Sequence, residues 1–463
     1  MKHIHIIGIC GVGTSALAIA LHQAGFKVTG SDKGFFPPVS TELTSAGVHF
    51  HAGWHPELFK TLGTPDIVVA GGGGTASSNG ELQWAHEQGL RVITFAEAVG
   101  EFICKKESIV CVGTWGKSTS TALLTHIFSE AGARPSYFIG AIPVDRKAGG
   151  LTDTQISIVE GDEYQAAIFE KRAKFFFYKP TTLLMTALSW DHADLYPTPE
   201  DFLQAFRSLL ATLPSSGSVV ACGDDSALMG LLKETGMAYT RYGKDASADY
   251  HYHSVTQTTS GITFTIVHNG VSYPVTSSLY GTYNAENITG CFALAHQKGI
   301  EPTTILRAIA SFRGMKRRLE KRLSGKVTVI DDIAHSPRKA QAVLDTLRGI
   351  CSGSLTVVFE PNIGGRERVA LSGYDGAFTS ADTVIIPRLS VLKGDALSTT
   401  VDGQELATTI AKTHPHTLYI EDDAALVRTL IESQKPGDYL AFCGSHGFRG
   451  MIDEVITKLS EKF

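Results

Sequence analysis

Twice in this chain a short apolar run stops at a glycine-rich turn and resumes as a helix, and that pattern confines the fold to alternating strands and helices. Gly8-Ile9-Cys10-Gly11-Val12-Gly13 follows an apolar run over His3–Ile9 and opens a helix at Thr14. Val112-Gly113-Thr114-Trp115-Gly116-Lys117-Ser118-Thr119 follows a run over Ser108–Val112 and opens another. Around the first turn, further strands are expected over Lys27–Gly30, Val48–His51, Asp66–Ala70 and Arg91–Thr94, with helical stretches between them. Such alternation implies a parallel sheet covered by helices on both faces. After the second turn the pattern changes. Ala248–Ser254, Gly261–His268 and Val271–Thr276 alternate polar and apolar residues, as antiparallel strands with one wet face do. From about Lys321 the strand–helix alternation returns, with strands over Val327–Asp331, Leu355–Phe359, Asp382–Ile386 and Tyr439–Phe442. The expected class is α/β in three domains: doubly wound domains at 1–105 and 319–463, and a mixed central one at 106–318 with an antiparallel subsheet.

Bulk properties narrow the partners. The 463 residues are 43% hydrophobic, enough for real cores, and the formal net charge is -5. Nucleic-acid grooves and anionic membrane surfaces favour basic patches, so neither partner is expected. The seven cysteines stand singly with no C-x-x-C, which reads as reduced thiols in a cytoplasmic protein. No apolar run reaches the roughly 18 residues of a membrane-spanning helix. The N-terminus lacks the apolar core of a signal peptide.

The two glycine turns differ in what they offer. In the first, glycines at a helix N-terminus let backbone N–H groups approach a phosphate, and Asp32 ends the next strand, where an acid can accept from a ribose or base. The dinucleotide fingerprint is G-x-G-x-x-G, whereas the order here is G-x-x-G-x-G. A diphosphate site for some nucleotide and a tight turn for helix–strand packing both fit, and NAD is not favoured over a UDP-sugar. The second turn adds a lysine to reach terminal phosphates and a hydroxyl for Mg²⁺, at Lys117 and Ser118. Its generic leading glycine is replaced by Cys111.

Acids follow on strand ends, where ligands of open α/β sheets bind. Ile156–Glu160 reads as a buried strand ending in Glu160-Gly161-Asp162-Glu163, and Leu183–Leu188 as another ending near Asp191-His192-Ala193-Asp194. Mg²⁺ prefers oxygen ligands and keeps several waters. A carboxylate, a hydroxyl and the nucleotide phosphates therefore suffice, with His192 as an added donor. A helix cap or solvated turn is the plainer reading of any one acid.

At this point the chain resembles the Mur ligase family of peptidoglycan synthesis, over essentially its whole length. Gly113-Thr114-Trp115-Gly116-Lys117-Ser118 resembles the family's G-T-x-G-K-[S/T] loop, which also lacks the earlier glycine. Glu160–Glu163 and Asp191–Asp194 resemble its acidic and D-H-x-D motifs. Gly281-Thr282-Tyr283-Asn284-Ala285-Glu286-Asn287 resembles G-x-H-N-x-x-N with Tyr283 for His. Arg317-Arg318-Leu319-Glu320 resembles the hinge into the last domain. Asp331-Asp332-Ile333-Ala334-His335-Ser336-Pro337 resembles D-D-[YF]-A-H-H-P, with Ile333 and Ser336 departing.

The resemblance implies a Rossmann-like N-terminal domain that binds a UDP-sugar, a central P-loop ATPase domain and a Rossmann-like C-terminal domain for the incoming amine. ATP and Mg²⁺ are the implied cofactors. Gly113, Thr114, Trp115, Gly116, Lys117, Ser118 and Thr119 would hold ATP phosphates, Asn284 and Asn287 adenine, and Arg317 and Asp332 would help close over ATP. Ser118, Thr119, Glu160 and His192 would organise Mg²⁺. Gly8, Gly11, Val12, Gly13, Asp32, Ser78 and Asn79 would hold the UDP moiety. Lys117, Glu160, His192 and His335 are the implied catalytic residues. His335 as the base for the amine and His335 packed on the nucleotide are equally compatible readings.

Several ligases in the family carry a carbamylated lysine after D-H-x-D, but no lysine occurs between Lys179 and Lys233. That resembles the branch acting on UDP-N-acetylmuramate itself, and within it the recycling member that adds a preformed L-Ala-γ-D-Glu-meso-diaminopimelate. Four stretches carry this likeness: Gly30-Ser31-Asp32 with Pro37–Thr41, Phe169–Phe175, Ser311–Glu320, and Gly444–Gly450. The implied partners are UDP-N-acetylmuramate and an amino acid or tripeptide, with the enzyme a monomer or weak homodimer. After Phe359-Glu360-Pro361 the recycling member has an arginine where this chain has Asn362. Arg366 and Arg368 are the candidates to meet the amine substrate in its place, a solvated turn being the alternative. Two other classes stay open: an NAD-dependent oxidoreductase using the first turn, and a ligase-like nucleotide-binding protein without peptide-bond activity.

Overall fold

The computed structural model describes residues 1–35, 39–71, 78–167, 169–192, 194–389 and 400–463; Pro37, Pro38 and Ala193 of the motifs above lie outside the described residues. Among the described residues the chain forms three large sheets and one two-stranded ribbon, in a three-domain α/β fold. By contacts it divides into two compact units: Met1–Thr256, Thr263–Ser278 and Thr282–Arg313 form one, and Gln257–Ile262, Leu279–Gly281 and Gly314–Phe463 the other. Among the described residues no helix is long and apolar enough to cross a membrane.

The first unit holds two sheets. The N-terminal sheet contains β1 (His3–Ile7), β2 (Lys27–Asp32), β3 (His49–Ala52), β4 (Ile67–Ala70) and β5 (Arg91–Thr94) in the order β3-β2-β1-β4-β5. All its pairings are parallel. The order reverses between β1 and β4, and ligands of such sheets bind at the crevice this reversal opens. The sequence pattern carries β1 on to Ile9, but the strand stops at Ile7. Gly8 takes a left-handed φ of 77°, and the Gly8 and Ile9 amides both turn onto the Ser31 carbonyl at 2.8 and 3.0 Å. The helix then starts at Val12 rather than Thr14, because the Thr14 hydroxyl reaches back to the Gly8 carbonyl at 2.6 Å and ties the turn to the first helical residues. One face of this sheet buries polar groups. Glu81, 1% exposed, lies 3.2 Å from His5 Nε2 and 2.7 Å from His51 Nε2 and accepts from the His55 amide at 2.9 Å. Burial alone would raise the Glu81 carboxyl, but the His5 and His51 contacts outweigh it and hold it well below the usual carboxylate range.

The central sheet comprises β6 (Glu107–Val112), β7 (Ser136–Phe138), β8 (Gly149–Gly150), β9 (Ile156–Glu160), β12 (Thr182–Met185), β13 (Ser218–Cys222), β14 (Thr240–Gly243), β15 (Tyr250–Thr258), β16 (Gly261–His268) and β17 (Val271–Ser277); β10 (Gln165–Ala167) and β11 (Glu170–Ala173) form a small antiparallel ribbon apart. The sheet order is β17-β16-β15-β14-β13-β12-β6-β9-β7-β8, so β6 sits between β12 and β9 at another reversal point. Two-residue connections join β15, β16 and β17, a length that only antiparallel neighbours allow. The strand expected over Leu183–Leu188 ends at Met185, because Thr186 and Ala187 turn to meet the glycine loop. The N-terminal and central sheets meet tightly within this unit. A Cβ on Gly149 would come 2.9 Å from the Ala16 carbonyl, and Phe95 and Phe138 stack edge to face at 5.4 Å.

The second unit carries β18 (Glu320–Leu323), β19 (Thr328–Asp332), β20 (Leu355–Glu360), β21 (Thr383–Pro387), β22 (Thr417–Ile420) and β23 (Tyr439–Gly444), ordered β18-β19-β23-β20-β21-β22. Only the β18–β19 pairing is antiparallel. The parallel strands β19, β20, β21 and β23 are buried along nearly their whole length, as the apolar runs require when helices cover both faces, whereas the edge strand β22 is partly exposed. The β15–β16 turn belongs to this unit too, with Gln257 donating to the Thr346 carbonyl at 2.8 Å and Tyr280 to that of Thr259 at 2.7 Å.

Candidate active site

The glycine loop after β6 is built by close approach. Gly113 has φ 131°, and a Cβ there would lie 2.3 Å from Thr186 Oγ1 and 2.8 Å from the Ala187 backbone. Gly116 has φ 82°, and a Cβ there would lie 2.3 Å from Asn287 Oδ1. Both positions therefore demand glycine twice over, by conformation and by space. The segment after β12 clamps the loop: the Thr114 amide donates to Ala187 at 2.7 Å and its hydroxyl to Ser189 at 2.6 Å. Gly116 then caps the helix Lys117–Glu130, so the first helical amides point into the loop.

Two carboxylates from the end of β9 divide the work around this helix start. Glu160 accepts from the Ser118 hydroxyl at 2.8 Å and from the Gly140 amide at 2.7 Å. Glu163, 1% exposed, takes the Lys117 ammonium on both oxygens at 2.9 and 2.6 Å, while the ammonium also donates to the Gly113 carbonyl at 2.6 Å. Burial raises the Glu163 carboxyl above its ordinary value despite the opposing pull of Lys117. Asp162 is half-buried, which by itself raises its carboxyl, yet the Lys174 ammonium at 2.5 Å brings it below the ordinary value. His192 takes φ 56° and places Nε2 at 3.7 Å from Glu163 Oε1, with the Tyr164 ring edge-on at 5.1 Å. The Tyr196 hydroxyl donates to the Glu163 carbonyl at 2.6 Å.

The expected nucleotide residues mostly converge here. Thr114, Gly116, Lys117 and Ser118 line the loop, and Thr119 is half-buried one residue on. Asn287 donates to Asn284 Oδ1 at 3.1 Å beside Gly116. Trp115 and Tyr283 stand out at 63% and 58% exposure. His192 lies on the Glu163 side of the loop rather than being drawn in with Ser118 and Glu160. Ser118 and Glu160 bring a hydroxyl and a carboxylate together, the hard oxygen donors that Mg²⁺ takes. Glu163 was not singled out from the sequence. Its only signal was membership of the Glu160–Glu163 string, where three acids compete for one role.

The first glycine turn is closed by Asp32, which accepts from the Cys10 amide at 2.8 Å and the Lys33 amide at 2.7 Å. A Cβ on Gly13 would meet Phe95 at 3.0 Å and Phe138 at 3.4 Å. Val12 is exposed at the first helical position, next to the Gly11 cap. Ser78 is exposed, whereas Asn79 is buried and caps the helix Gly80–Glu87 by accepting from the Glu81 and Leu82 amides.

In the second unit Arg317, at φ 57°, anchors on the carbonyls after β23, donating to Gly444, to Ser445 at 3.2 Å and to His446 at 2.9 Å. Asp332 accepts the Leu319 and Ala334 amides at 2.6 and 2.7 Å, and burial raises its carboxyl. Both groups are thus engaged within the hinge and the strand end. The neighbouring Asp331 is pushed up to about 6 by burial, against the pull of Arg317. His335 Nδ1 lies 2.7 Å from the Ile333 carbonyl, and burial lowers this imidazole. Arg366 is buried with Nε on the Val401 carbonyl at 3.3 Å, and Arg368 forks onto Glu405 at the surface.

A β-strand, a glycine loop with a lysine and hydroxyl, and acids on the neighbouring strand make a nucleotide-phosphate cradle. The chain matches the Mur ligase family catalytic domain over residues 3–107, the Mur ligase middle domain over 112–295 and the Mur ligase glutamate ligase domain over 317–446. The chain belongs to the Mur ligase family. Members are ATP-dependent amide ligases, and that is its enzyme class. It is 30% identical to a UDP-N-acetylmuramate–L-alanine ligase of Chlorobium phaeovibrioides, covering 98% of this chain and 97% of the relative. It is 28% identical to the UDP-N-acetylmuramate–L-alanyl-γ-D-glutamyl-meso-2,6-diaminoheptandioate ligase of Haemophilus influenzae over the whole of both chains. The crystal structure of a murein peptide ligase from Psychrobacter arcticus superposes with a TM-score of 0.69 at 25% identity, over 99% of each chain. This Mur ligase therefore stands among relatives with two different amine donors.

Proposed function

We propose that this Mur ligase joins L-Ala-γ-D-Glu-meso-diaminopimelate to the carboxylate of UDP-N-acetylmuramate with hydrolysis of ATP, in the compartment that holds ATP, the cytoplasm. The observation that carries the ATP half is the meeting of Lys117, Ser118, Glu160 and Glu163 at one helix start. A carboxylate is a poor acyl donor because its leaving group would be oxide. Its oxygen attacks the γ-phosphorus of ATP, ADP departs, and the resulting acyl phosphate has phosphate as leaving group. The amine nitrogen attacks the acyl carbon, loses its proton, and phosphate leaves.

Such phosphoryl transfer is mostly positioning and charge stabilisation. The loop amides of 113–117 receive phosphate oxygens, and Lys117 exchanges Glu163 for the terminal phosphates. Ser118 and Glu160 would hold Mg²⁺, with Thr119 next along the helix and His192 on the Glu163 side. The bound ion would supply positive charge against the transferring phosphoryl oxygens. The first turn, with Asp32 and the Gly11–Gly13 helix start, holds the UDP moiety.

The tripeptide is favoured by the Phe169–Phe175 and Gly444–Gly450 stretches and by relatives named for it. L-Alanine is the second reading, carried by the 30% identity to an L-alanine ligase. Phosphate release from ATP is measured with UDP-N-acetylmuramate and each amine in turn. Faster release with the tripeptide is expected. Release with L-alanine alone transfers the assignment to the second reading, and no release with either ends the proposal.

A further inference from the structure

The chain leaves the first unit after Ser278, passes Leu279–Gly281 through the second, and returns at Thr282, just before Asn284 and Asn287 of the candidate nucleotide site. Tyr280 fixes this short excursion. It is 3% exposed and belongs to the core of the C-terminal domain that holds Leu319, Ile330 and Tyr439. The Lys321 ammonium of β18 lies over its ring at 4.4 Å and donates at 3.2 Å to the Thr259 carbonyl, the same carbonyl that the Tyr280 hydroxyl reaches. Gly281 follows with φ 88°, a left-handed turn that glycine takes at no steric cost. Its amide donates to Gln257 Oε1 at 2.7 Å, while Gln257 Nε2 donates to the Thr346 carbonyl at 2.8 Å, in the helix Pro337–Arg348. One carboxamide thus uses its acceptor on the start of the nucleotide segment and its donor on a helix of the C-terminal domain, a double task that suits Gln and neither Lys nor an ionised Glu. The other end of the segment is held too. Asn287 donates to Asn284 at 3.1 Å, and its Oδ1 stands where a Cβ on Gly116 would be. Only Gly281, Thr282 and Tyr283 separate Tyr280 from Asn284, so the stretch between the C-terminal core and the glycine loop has little slack.

We infer that Gln257 and Tyr280 are positioning residues that couple the nucleotide site to the C-terminal domain, so that a donor bound by that domain tightens nucleotide binding. This rests on the ligase reading above, which gives the C-terminal domain to the incoming amine. Ordering of Asn284 and Asn287 by nucleotide is passed along a short, packed path to Tyr280 and Gln257, and such coupling acts equally in both directions.

The test measures by calorimetry, on the full chain, the Kd of a non-hydrolysable ATP analogue with Mg²⁺ and saturating UDP-N-acetylmuramate. Each titration is run with and without the better donor of L-alanine and the tripeptide, in wild type, Gln257→Glu and Gln257→Met. Gln257 is half-buried near the end of β15, so both variants keep the fold, and the Tm read alongside checks this. In wild type the donor should tighten the analogue about 5- to 150-fold, the usual range for coupled sites. Gln257→Glu keeps an acceptor for the Gly281 amide and loses the donor to Thr346. Its donor-free Kd should match wild type while the tightening factor falls. Gln257→Met loses both contacts and should bring the factor close to unity. A merely structural role would lower the Tm and weaken the analogue equally with and without donor. That result, a factor left intact in both variants, overturns the inference alone. So does a wild type that releases phosphate yet binds the analogue no tighter with donor present. A wild type that releases no phosphate with either donor removes the ligase reading and the inference together.

Discussion

The two glycine turns of this chain share a plan and differ in charge. Each follows a parallel strand at the point where its sheet reverses order, and each starts a helix. The first is fastened by one carboxylate, Asp32, on backbone amides. The second holds a lysine between a carbonyl and a buried carboxylate and a hydroxyl on another carboxylate. A turn closed by amides and one acid can bind and orient a diphosphate. A turn with a mobile cation can also follow charge as it moves between phosphates, so the chemistry belongs to the second.

Breaking that contrast should show first at Lys117. Lys117→Ala is expected to lower kcat by about 10²–10³, the scale for losing one key charge-stabilising donor, with the UDP-N-acetylmuramate KM little changed; steady-state phosphate release measures both. Next comes Glu163→Gln, which removes the anion paired with Lys117. Removing one partner of a buried pair costs up to roughly 3–5 kcal/mol, less here because Lys117 can swing towards solvent. The variant should melt lower than wild type, and added ADP should raise its Tm by more than it raises that of wild type. Equal ADP shifts would mean that Glu163 and the phosphates do not compete for Lys117.

Smaller effects should mark the first turn. Asp32→Ala removes two amide contacts, at about 1 kcal/mol each, and should raise the UDP-N-acetylmuramate KM while leaving that for ATP unmoved. A rise in both would erase the distinction between the turns. The smallest effect is one of pH. Burial lowers His3 from 6.5 to about 4, so the unfolded chain binds this proton first. The neutral buried ring therefore contributes stability that is complete above pH 6.5 and is lost as pH falls towards 4. Buried His5 shifts in the same direction. Melting followed from pH 7 to pH 4.5 should show a falling Tm, and His3→Gln should flatten part of that slope.

Much of the fold was legible because it is local. Arg91–Thr94 and Gly261–His268 run as their patterns predicted, since alternation and turn residues act within a few positions. Strand ends were less legible. Ile9 and Leu188 are as apolar as their neighbours, and only the contacts of Ser31 and Ala187 with the turns stop the strands at Ile7 and Met185. At the site, Glu160 was readable from its place at a strand end, whereas Glu163 was not. Whether the third or the first acid of a string faces a lysine 46 positions away depends on how the chain turns after β9. Arg366 and Arg368 lie near Asn362 in sequence. Their pairings with Val401 and Glu405, and that of Arg449 with Asp423, join residues far apart in the chain.

By itself the sequence determined the alternation of strands and helices, the two places where glycine must turn, and the order of lysine, hydroxyl and acids that marks a Mur ligase. Those properties follow from backbone conformation and short-range spacing, which are written in neighbouring residues. The tertiary structure alone decided which carboxylate holds Lys117 and which amides engage Asp32. Ion pairs and hydrogen bonds are settled by distances of a few ångströms, and only the folded chain sets those distances between residues tens of positions apart.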